Sequence, residues 1–168
     1  EWAASTPWQF FTSFEEDWLA QAVRDGRRAE FGSHGWSADE VPDPQDVATR
    51  DRSVLDWSET TDPEHARMMR WYAACIAARR DLLGDGETRF ADVDVRVDEE
   101  AGWVAMTHAP GGRAPFTVAI NLSDQHRRVP VAGATRVLLA WEPSATAADE
   151  GHVTLPARSV AVVGASTP

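Results

Sequence analysis

Four aromatic rings and several hydrogen-bonding side chains are concentrated in the first twelve residues. Pro7 disfavours helical backbone at the residue before it, and the aromatic residues follow neither helical spacing nor strand alternation, so this segment is predicted to be a loop. The rings are Trp2, Trp8, Phe10 and Phe11, and the polar groups are Glu1, Gln9 and Thr12. Aromatic faces with a few polar groups are typical of a sugar-binding edge. An aromatic cluster that only packs on its own domain has the same composition.

Four carboxylates later in the chain could be arranged as an acid pair: Asp43, Asp46, Asp56 and Glu59. General acid and base catalysis needs such groups. However, acidic residues number 27 against 16 basic ones, and carboxylates in proteins are mostly exposed surface groups. We therefore assign none of the four a catalytic role.

Charge and residue spacing exclude several classes of function. A net charge of -11 repels phosphate backbones, so we expect no nucleic-acid partner. The five histidines lie far apart, with no cysteine or second histidine at ligand spacing, and no metal site is predicted. The single cysteine, Cys75, cannot form an intramolecular disulfide and is expected to be a buried structural thiol. No apolar run approaches the ~18 residues of a membrane span, so we expect no membrane partner.

The first half of the chain has the pattern of helices joined by a long loop. Residues 15–31 show helical spacing, with Ser13 as the expected N-cap. Residues 32–62 are predicted to be irregular, with one short helix opened by Asp46. Residues 63–83 form the clearest helix, since Pro63 suits a first turn and Gly84 a stop. Because this helix is apolar around most of its circumference, it is expected to be buried on most sides.

After Gly84 the periodicity changes from 3.6 to 2, which indicates strands. A hairpin is predicted from Phe90 to Met106, and five further strands at 116–122, 128–131, 135–141, 152–155 and 158–163. Seven short strands separated by turn residues suit an antiparallel sandwich. Trp103, Phe116 and Ile120 are expected in its interior, and Asn121 is expected to cap a turn.

Three segments, taken in order, resemble the C-terminal third of the malto-oligosyltrehalose trehalohydrolase family, within the α-amylase superfamily of glycoside hydrolases. They run from Glu1-Trp2 to Phe11-Thr12, from Glu40 to Asp46, and from Ser53 to Trp57. In that family a pair such as Glu1-Trp2 closes the eighth strand of a (β/α)8 barrel. The resemblance implies an α+β chain. Residues 1–84 would end the catalytic barrel, as the loop after strand 8 and its helices, and residues 85–168 would form a C-terminal antiparallel β-sandwich.

The resemblance also implies a function for the parent protein. It would hydrolyse the α-1,4 bond next to the terminal trehalose of a malto-oligosyl trehalose, in the cytoplasm and without an organic cofactor. Retaining glycosidases need two carboxyl groups about 5 to 5.5 Å apart, and the family carries its catalytic carboxylates on strands 4, 5 and 7, before Glu1. We therefore expect this chain alone to be inactive. The residues expected to contact the malto-oligosaccharide are Glu1, Trp2, Gln9, Phe10, Phe11, Asp43 and Gln45. Trp8 stands where the family more often has Phe.

Two other functions fit the sequence. One is a non-catalytic carbohydrate-binding module that presents Trp103 or Trp141 to glucan, for which an exposed coplanar aromatic pair would be evidence. The other is part of a related α-glucan enzyme such as a branching enzyme. Where the preceding barrel is absent, the aromatic residues of segment 1–60 that would pack on its strands need another cover. These residues are Trp2, Trp8, Phe10, Phe11 and Trp18. We expect a homodimer to provide this cover, or else collapse of the loop onto the helix at 63–83.

Overall fold

A computed structural model of the chain describes residues 1–84, 89–131, 133, 136–145 and 151–165. The chain divides into two compact units, Glu1–Met69 and Arg70–Pro168. The functional division after residue 84 stays a prediction. Helices α1 (Asp17–Gly32) and α2 (Val47–Arg52) lie in the first unit, followed by a 3-10 helix (Trp57–Thr61) and by α3 (Pro63–Leu83), which runs past the division.

Helix α1 is confirmed, but the expected cap at Ser13 is wrong. The N-cap residue is Glu16, and its side chain makes no capping hydrogen bond. The residues around Ser13 are instead held by a neighbouring loop. The Thr12 N–H donates to the carbonyl of Pro44 at 2.7 Å, and the Phe14 N–H donates to Gln45 Oε1 at 3.2 Å. These contacts keep the segment extended, so the helix begins later.

The short helix predicted at Asp46 is confirmed as α2. The Asp46 carboxylate accepts a hydrogen bond from the Ala48 N–H at 2.9 Å, which satisfies a backbone donor that has no partner within the helix. Thr49 is fully buried, and its hydroxyl donates to the carbonyl of Asp43 at 2.7 Å. Helix α2 is thereby fixed to the loop that precedes it.

Helix α3 has the predicted bounds, but its expected burial is wrong. Gly84 has φ of 59° and its N–H donates to Arg80 O at 2.8 Å, which ends the helix as expected. No residue of the helix is buried, and Tyr72 and Ile76 are 45% and 48% exposed. Within the second unit the helix faces a single sheet, along Cys75 and Leu82 among others, which leaves the rest of its apolar circumference uncovered.

The second unit contains the seven predicted strands, arranged in two antiparallel sheets. Their bounds are β1 (Val93–Asp98), β2 (Trp103–His108), β3 (Phe116–Asn121), β4 (Arg127–Pro130), β5 (Arg136–Ala140), β6 (His152–Leu155) and β7 (Ser159–Gly164). One sheet has the order β1-β2-β3-β7-β5 and the other pairs β4 with β6. The expected β1–β2 hairpin is confirmed, with Val95 opposite Met106. Thr135, the predicted start of the fifth strand, lies outside the described residues.

The core of this unit lies between the two sheets and is built from small side chains on the larger sheet. Its fully buried members are Ala105, Ala119, Ala161 and Val163 from the larger sheet and Val129, Val131, Val153 and Leu155 from the smaller one and its flank. Trp103 packs against this core, as expected. Successive side chains of a strand point to opposite faces. Because Thr117, Ala119 and Asn121 are the buried side of β3, the interior positions predicted for Phe116 and Ile120 are wrong.

The outer face of the larger sheet carries larger apolar residues than the inner face. Val93, Val95 and Val97 align with His108, Met106 and Val104, and this face continues into β3 and β7. A cavity of about 380 Å³ separates part of it from α3, with Cys75 on the helix side. Cys75 is half-buried rather than buried as expected, and its burial raises the pKa of the thiol. At the β1 edge, Val95 and Val97 are 55% and 57% exposed.

Candidate functional site

The first unit contains a groove of about 330 Å³ at the aromatic loop, here called the aromatic groove. It lies between the N-terminal loop, α1 and the segment that follows α1. Its walls are Pro7, Trp8, Gln9, Phe10, Arg27, Phe31, Trp36, Glu40, Val41 and Pro42. Three separate parts of the sequence therefore supply aromatic rings to one surface.

Arg27 organises the aromatic groove from α1. Its guanidinium carbon lies 5.0 Å from the ring centre of Phe10 and 4.4 Å from that of Phe31, so the cation contacts both rings. Its Nη1 also donates to Glu30 Oε2 at 2.9 Å. The arrangement fixes Phe10 of the loop against α1.

Glu40 places a carboxylate at the rim of the same groove. Hydrogen bonds from the backbone N–H and then the hydroxyl of Ser37 lower the pKa of Glu40. Both donors bind Oε2, at 2.8 and 2.9 Å. The side chain is therefore ionised at neutral pH and keeps acceptor capacity on its other oxygen.

Two tryptophans complete the groove in different ways. Trp36 packs edge-on against Phe31, with ring centres 5.4 Å apart, and is held in place by that contact. Trp8 is 92% exposed, the largest exposure of any tryptophan in the described part of the chain. The groove thus has a fixed aromatic wall and an open aromatic face.

A second, more polar groove of about 300 Å³ lies beside α2. Phe11, Thr12, Ser13, Gln45, Asp46, Val47 and Arg50 line it. The Oγ1 of Thr12 and the Nε2 of Gln45 are buried and have no hydrogen-bond partner among the described residues. Buried polar atoms in proteins are normally paired, so these two can bond to a polar ligand.

Asp43 lies in sequence between Pro42 of the aromatic groove and Gln45 of the polar groove, and its carboxylate is bound by other residues of the protein. Both of its carboxylate oxygens accept from Arg24 Nε, at 3.1 and 2.9 Å, and Oδ1 also accepts from the Gln45 N–H at 2.9 Å. Burial raises its pKa, but the Gln45 N–H and the Arg24 guanidinium outweigh that effect, so the pKa of Asp43 is lowered. Its contacts attach the 42–46 loop to α1.

Trp2 is likewise an internal anchor. It is 4% exposed and its ring centre lies 4.5 Å from that of Trp57. Its indole N–H donates to Glu59 Oε2 at 3.3 Å, and its carbonyl lies 2.7 Å from His65 Nδ1. The first residues are therefore fixed to the 3-10 helix and to the start of α3.

The seven sequence-predicted contact residues thus fall into three groups. Gln9 and Phe10 line the aromatic groove, Phe11 and Gln45 line the polar groove, and Trp2 and Asp43 hold the scaffold, while Glu1 is exposed. Substrate contact by any of them stays a prediction. The pattern of the N-terminal segment gave no indication that Arg27, Phe31, Trp36 and Glu40 share the aromatic groove, because only folding brings α1 and the following loop to it.

The four carboxylates considered as an acid pair all have internal partners. Asp46 and Asp56 cap short helices, Asp43 binds Arg24, and Glu59 binds Ser5 and Trp2. Hydrogen bonds from the Ser58 hydroxyl and N–H lower the pKa of Asp56, and those from the Ser5 hydroxyl and N–H lower that of Glu59. A general acid requires the opposite shift.

Two absences apply to residues 1–84, 89–131, 133, 136–145 and 151–165. Within them, no group of three or more histidine, cysteine or acidic side chains is arranged to hold a metal ion. In the same ranges, no helix has the length and hydrophobicity needed to cross a membrane.

The fold has counterparts among solved structures, which include a putative alpha amylase and a glycogen-degrading virulence factor. The chain superposes on a putative alpha amylase from Salmonella typhimurium with a TM-score of 0.76 and 29% identity, over 99% of this chain and 27% of that one. It also matches the catalytic module of a glycogen-degrading pneumococcal virulence factor in fold, with a TM-score of 0.59 and 17% identity, over 76% of this chain and 22% of that one. Residues 88–162 match a family described as a domain of unknown function, DUF3459. The chain combines helices with an antiparallel β domain, and it has a structural relative in a putative alpha amylase.

Sequence comparison identifies the particular relatives. The chain is 38% identical to the malto-oligosyltrehalose trehalohydrolase of Mycobacterium tuberculosis over all 168 of its residues, and 39% identical to that of a Rhizobium species over 97% of its length. The enzyme of Arthrobacter ramosus is 47% identical over 66% of the chain. The matched segments span only 27%, 26% and 18% of the length of these relatives, respectively. It is homologous to a C-terminal portion of the malto-oligosyltrehalose trehalohydrolases, which confirms the resemblance drawn from the sequence.

Proposed function

We propose that this chain is the C-terminal part of a glycoside hydrolase that cleaves the α-1,4 bond next to the trehalose end of malto-oligosyl trehalose and releases trehalose. The observation that carries the proposal is the 38% identity to the Mycobacterium tuberculosis enzyme, which extends over the full length of the chain and so over both units. In this proposal residues 1–84 close the catalytic (β/α)8 barrel, and residues 85–168 are its C-terminal β-sandwich. The parent enzyme works without an organic cofactor, in the cytoplasm.

In this proposal the chain supplies residues that contact the substrate but no catalytic groups. Of the carboxylates considered above, Asp43 is ion-paired, Asp46 and Asp56 cap helices, and Glu59 accepts hydrogen bonds from Ser5 and Trp2. The pKa shifts of Asp43, Asp56 and Glu59 are downward, whereas a proton donor needs a raised pKa. Gln9 and Phe10 contact the malto-oligosaccharide in the aromatic groove, and Phe11 and Gln45 contact it in the polar groove. Glu1 lies at the same end of the barrel. Trp2 and Asp43 act by holding the two loops in place, since their polar groups are already bonded.

The binding-module alternative is less well supported by the two tryptophans on which it depends. Trp103 is half-buried against the sandwich core. Trp141 meets Trp71 edge-on, with an interplanar angle of 78° and ring centres 5.5 Å apart. A glycan platform needs coplanar exposed rings, and neither arrangement provides one. These contacts favour a structural role for both residues.

A chimera tests the proposed function directly. This chain would replace the matching C-terminal portion of the Mycobacterium tuberculosis enzyme, and trehalose released from malto-oligosyl trehalose would be measured. We expect the chimera to release trehalose and the isolated chain to release none above a no-protein control, since general acid and nucleophile are both supplied by the preceding part.

Two outcomes contradict the proposal. Trehalose release by the isolated chain would show that it carries catalytic groups of its own. A folded chimera that cuts or branches unmodified α-glucan but releases no trehalose would instead favour a related α-glucan enzyme.

A further inference from the structure

The aromatic groove has polar groups whose bonding capacity is incompletely used. Gln9 lines the groove, and its Oε1 is buried without a hydrogen-bond partner among the described residues. Glu40 keeps one oxygen clear of its two Ser37 donors, and the Arg27 hydrogen bond to Glu30 involves Nη1 alone. Acceptors and N–H donors therefore lie around one aromatic cleft.

The aromatic rings of the groove differ in how much of their surface is free to contact a ligand. The guanidinium of Arg27 already contacts Phe10 and Phe31. The indole of Trp8 also lines the groove and is 92% exposed. An exposed flat apolar surface of this size is stabilised when a ligand covers it. The ligand must have an apolar face for Trp8 and hydroxyl groups for the polar rim.

Charge selects between neutral and anionic ligands. Arg27 supplies one positive charge, but Glu30 and Glu40 supply two negative charges beside it, and the whole chain carries -11. The net negative charge of these surroundings would repel a phosphate or carboxylate ligand. The groove therefore suits an uncharged polyol ring. Its volume of about 330 Å³ lies at the lower end of the ~300–1,000 Å³ typical of small-molecule sites.

We infer that the aromatic groove binds a glucosyl unit of an α-1,4-glucan chain, with Trp8 covering the sugar face and Gln9, Arg27 and Glu40 binding its hydroxyls. The choice of an α-1,4-glucan rests on the proposed function. Binding in this groove requires no catalytic residue, so it is a property of the isolated chain. Trp8, Arg27 and Glu40 are thereby binding residues in addition to those expected from the sequence.

Calorimetric titration of the isolated chain with maltoheptaose tests this inference. We expect saturable binding with a dissociation constant on the order of 1 mM, weakened about fivefold to tenfold by Trp8→Ala and by Arg27→Met. Trp18→Ala is the matched control, because Trp18 is 72% exposed on α1 but does not line the groove. It should leave the affinity unchanged. Circular dichroism of each variant verifies that the fold is retained.

Three results would overturn the inference. These are no saturable binding up to about 10 mM maltoheptaose, an equal loss of affinity in Trp18→Ala, or binding unchanged in both groove variants. Cellopentaose, a β-1,4-glucan, serves as the comparison ligand, and equal affinity for it would refute the assignment to α-glucan. The chimera assay is independent of these titrations, since trehalose release tests the reaction and not this groove.

Discussion

The indole N–H of Trp2 donates to the carboxylate of Glu59, across 57 positions of sequence and at 3.3 Å. The same carboxylate accepts from the backbone N–H of Ser5 at 3.1 Å and from the Ser5 hydroxyl. One side chain therefore fixes the N-terminal loop at Trp2 and at Ser5, just before the loop reaches the aromatic groove at Pro7. Loss of its charge should release the loop.

The first prediction concerns the acid sensitivity of this anchor. The Ser5 hydrogen bonds lower the pKa of Glu59 below its ordinary value of 4.5. A carboxyl whose folded-state pKa is lowered stabilises the fold fully above the unfolded value, and this stabilisation is lost as pH falls through the folded value. Glu59→Gln should therefore lower the thermal midpoint at about pH 7 and reduce its further fall between about pH 5 and pH 3.

Thermal unfolding at a series of pH values measures this effect. Glu100→Gln is the control, since Glu100 is an exposed carboxylate in the turn between β1 and β2. The thermal midpoint of this control should depend on pH in the same way as that of the unchanged protein. Parallel acid profiles for Glu59→Gln and the unchanged protein would contradict a role for the Glu59 charge in stability.

The second prediction compares the core between the two sheets with the outer face of the larger sheet. Leu155 is fully buried in the core between the sheets, and Leu155→Ala should lower the free energy of unfolding by about 2 to 5 kcal/mol. Ile120 is on the outer face and half-buried, so Ile120→Ala should cost less, roughly 1 to 2 kcal/mol. Urea unfolding of both variants gives the comparison. An equal or larger loss in Ile120→Ala would place the main core on the outer face.

The third prediction concerns a buried amide at the end of β3. The Asn121 side chain donates to the carbonyls of Gln125 and Pro156, each at 2.7 Å, and accepts from the Ser123 N–H at 3.0 Å. The turn cap expected from the sequence is thereby confirmed. Asn121→Ala leaves these buried groups unpaired and should cost about 1 to 3 kcal/mol in urea unfolding.

Asp124→Ala is the matched control for the amide. It removes an ion pair to Arg158 whose side chains are 72% and 76% exposed, and exposed pairs contribute little to stability. If Asn121→Ala were no more destabilising than Asp124→Ala, the amide would not be the stabilising contact in this turn.

The sequence predicted local structure well because the signals are local. Pro63 and Gly84 bound α3, Asp46 caps α2, and alternation locates the strands. The face of β3 that is buried could not be obtained this way, because its more apolar side (Phe116, Val118 and Ile120) faces outward. The buried side is Thr117, Ala119 and Asn121, and only one of these residues is apolar. The small side chain of Ala119 lies inside because it lets the two sheets approach closely.

Of the residues that line the aromatic groove, only those in the N-terminal segment could be predicted from the sequence. The aromatic loop predicted Gln9 and Phe10. Arg27 and Glu40 stand in segments with the charged residues of an ordinary protein surface, and nothing in the sequence marks them as part of a site. Their place in the groove depends on the angle between α1 and the loops on either side of it. The burial of Trp2 could not be predicted from the sequence either, since its hydrogen-bond partner Glu59 is 57 positions away.

The last prediction is that the isolated chain forms a homodimer. In the first unit, Trp8 and Trp18 are 92% and 72% exposed. In the second unit, the outer face of β1 exposes Val95 and Val97 by 55% and 57%, and β1 is the edge strand of its sheet. Extended apolar surface and an open strand edge both favour pairing with a second copy.

Light scattering over about a tenfold dilution measures the association, which mass action makes concentration-dependent. The charge of -11 opposes it, so the dimer should be more stable at about 1 M salt, where repulsion between exposed charges is screened. Val97→Arg should weaken the dimer if β1 is the interface, and Trp18→Arg should do so if α1 is. A strictly monomeric chain whose residues 1–31 are protected from hydrogen exchange would contradict dimerisation and favour collapse of the loop onto its own unit.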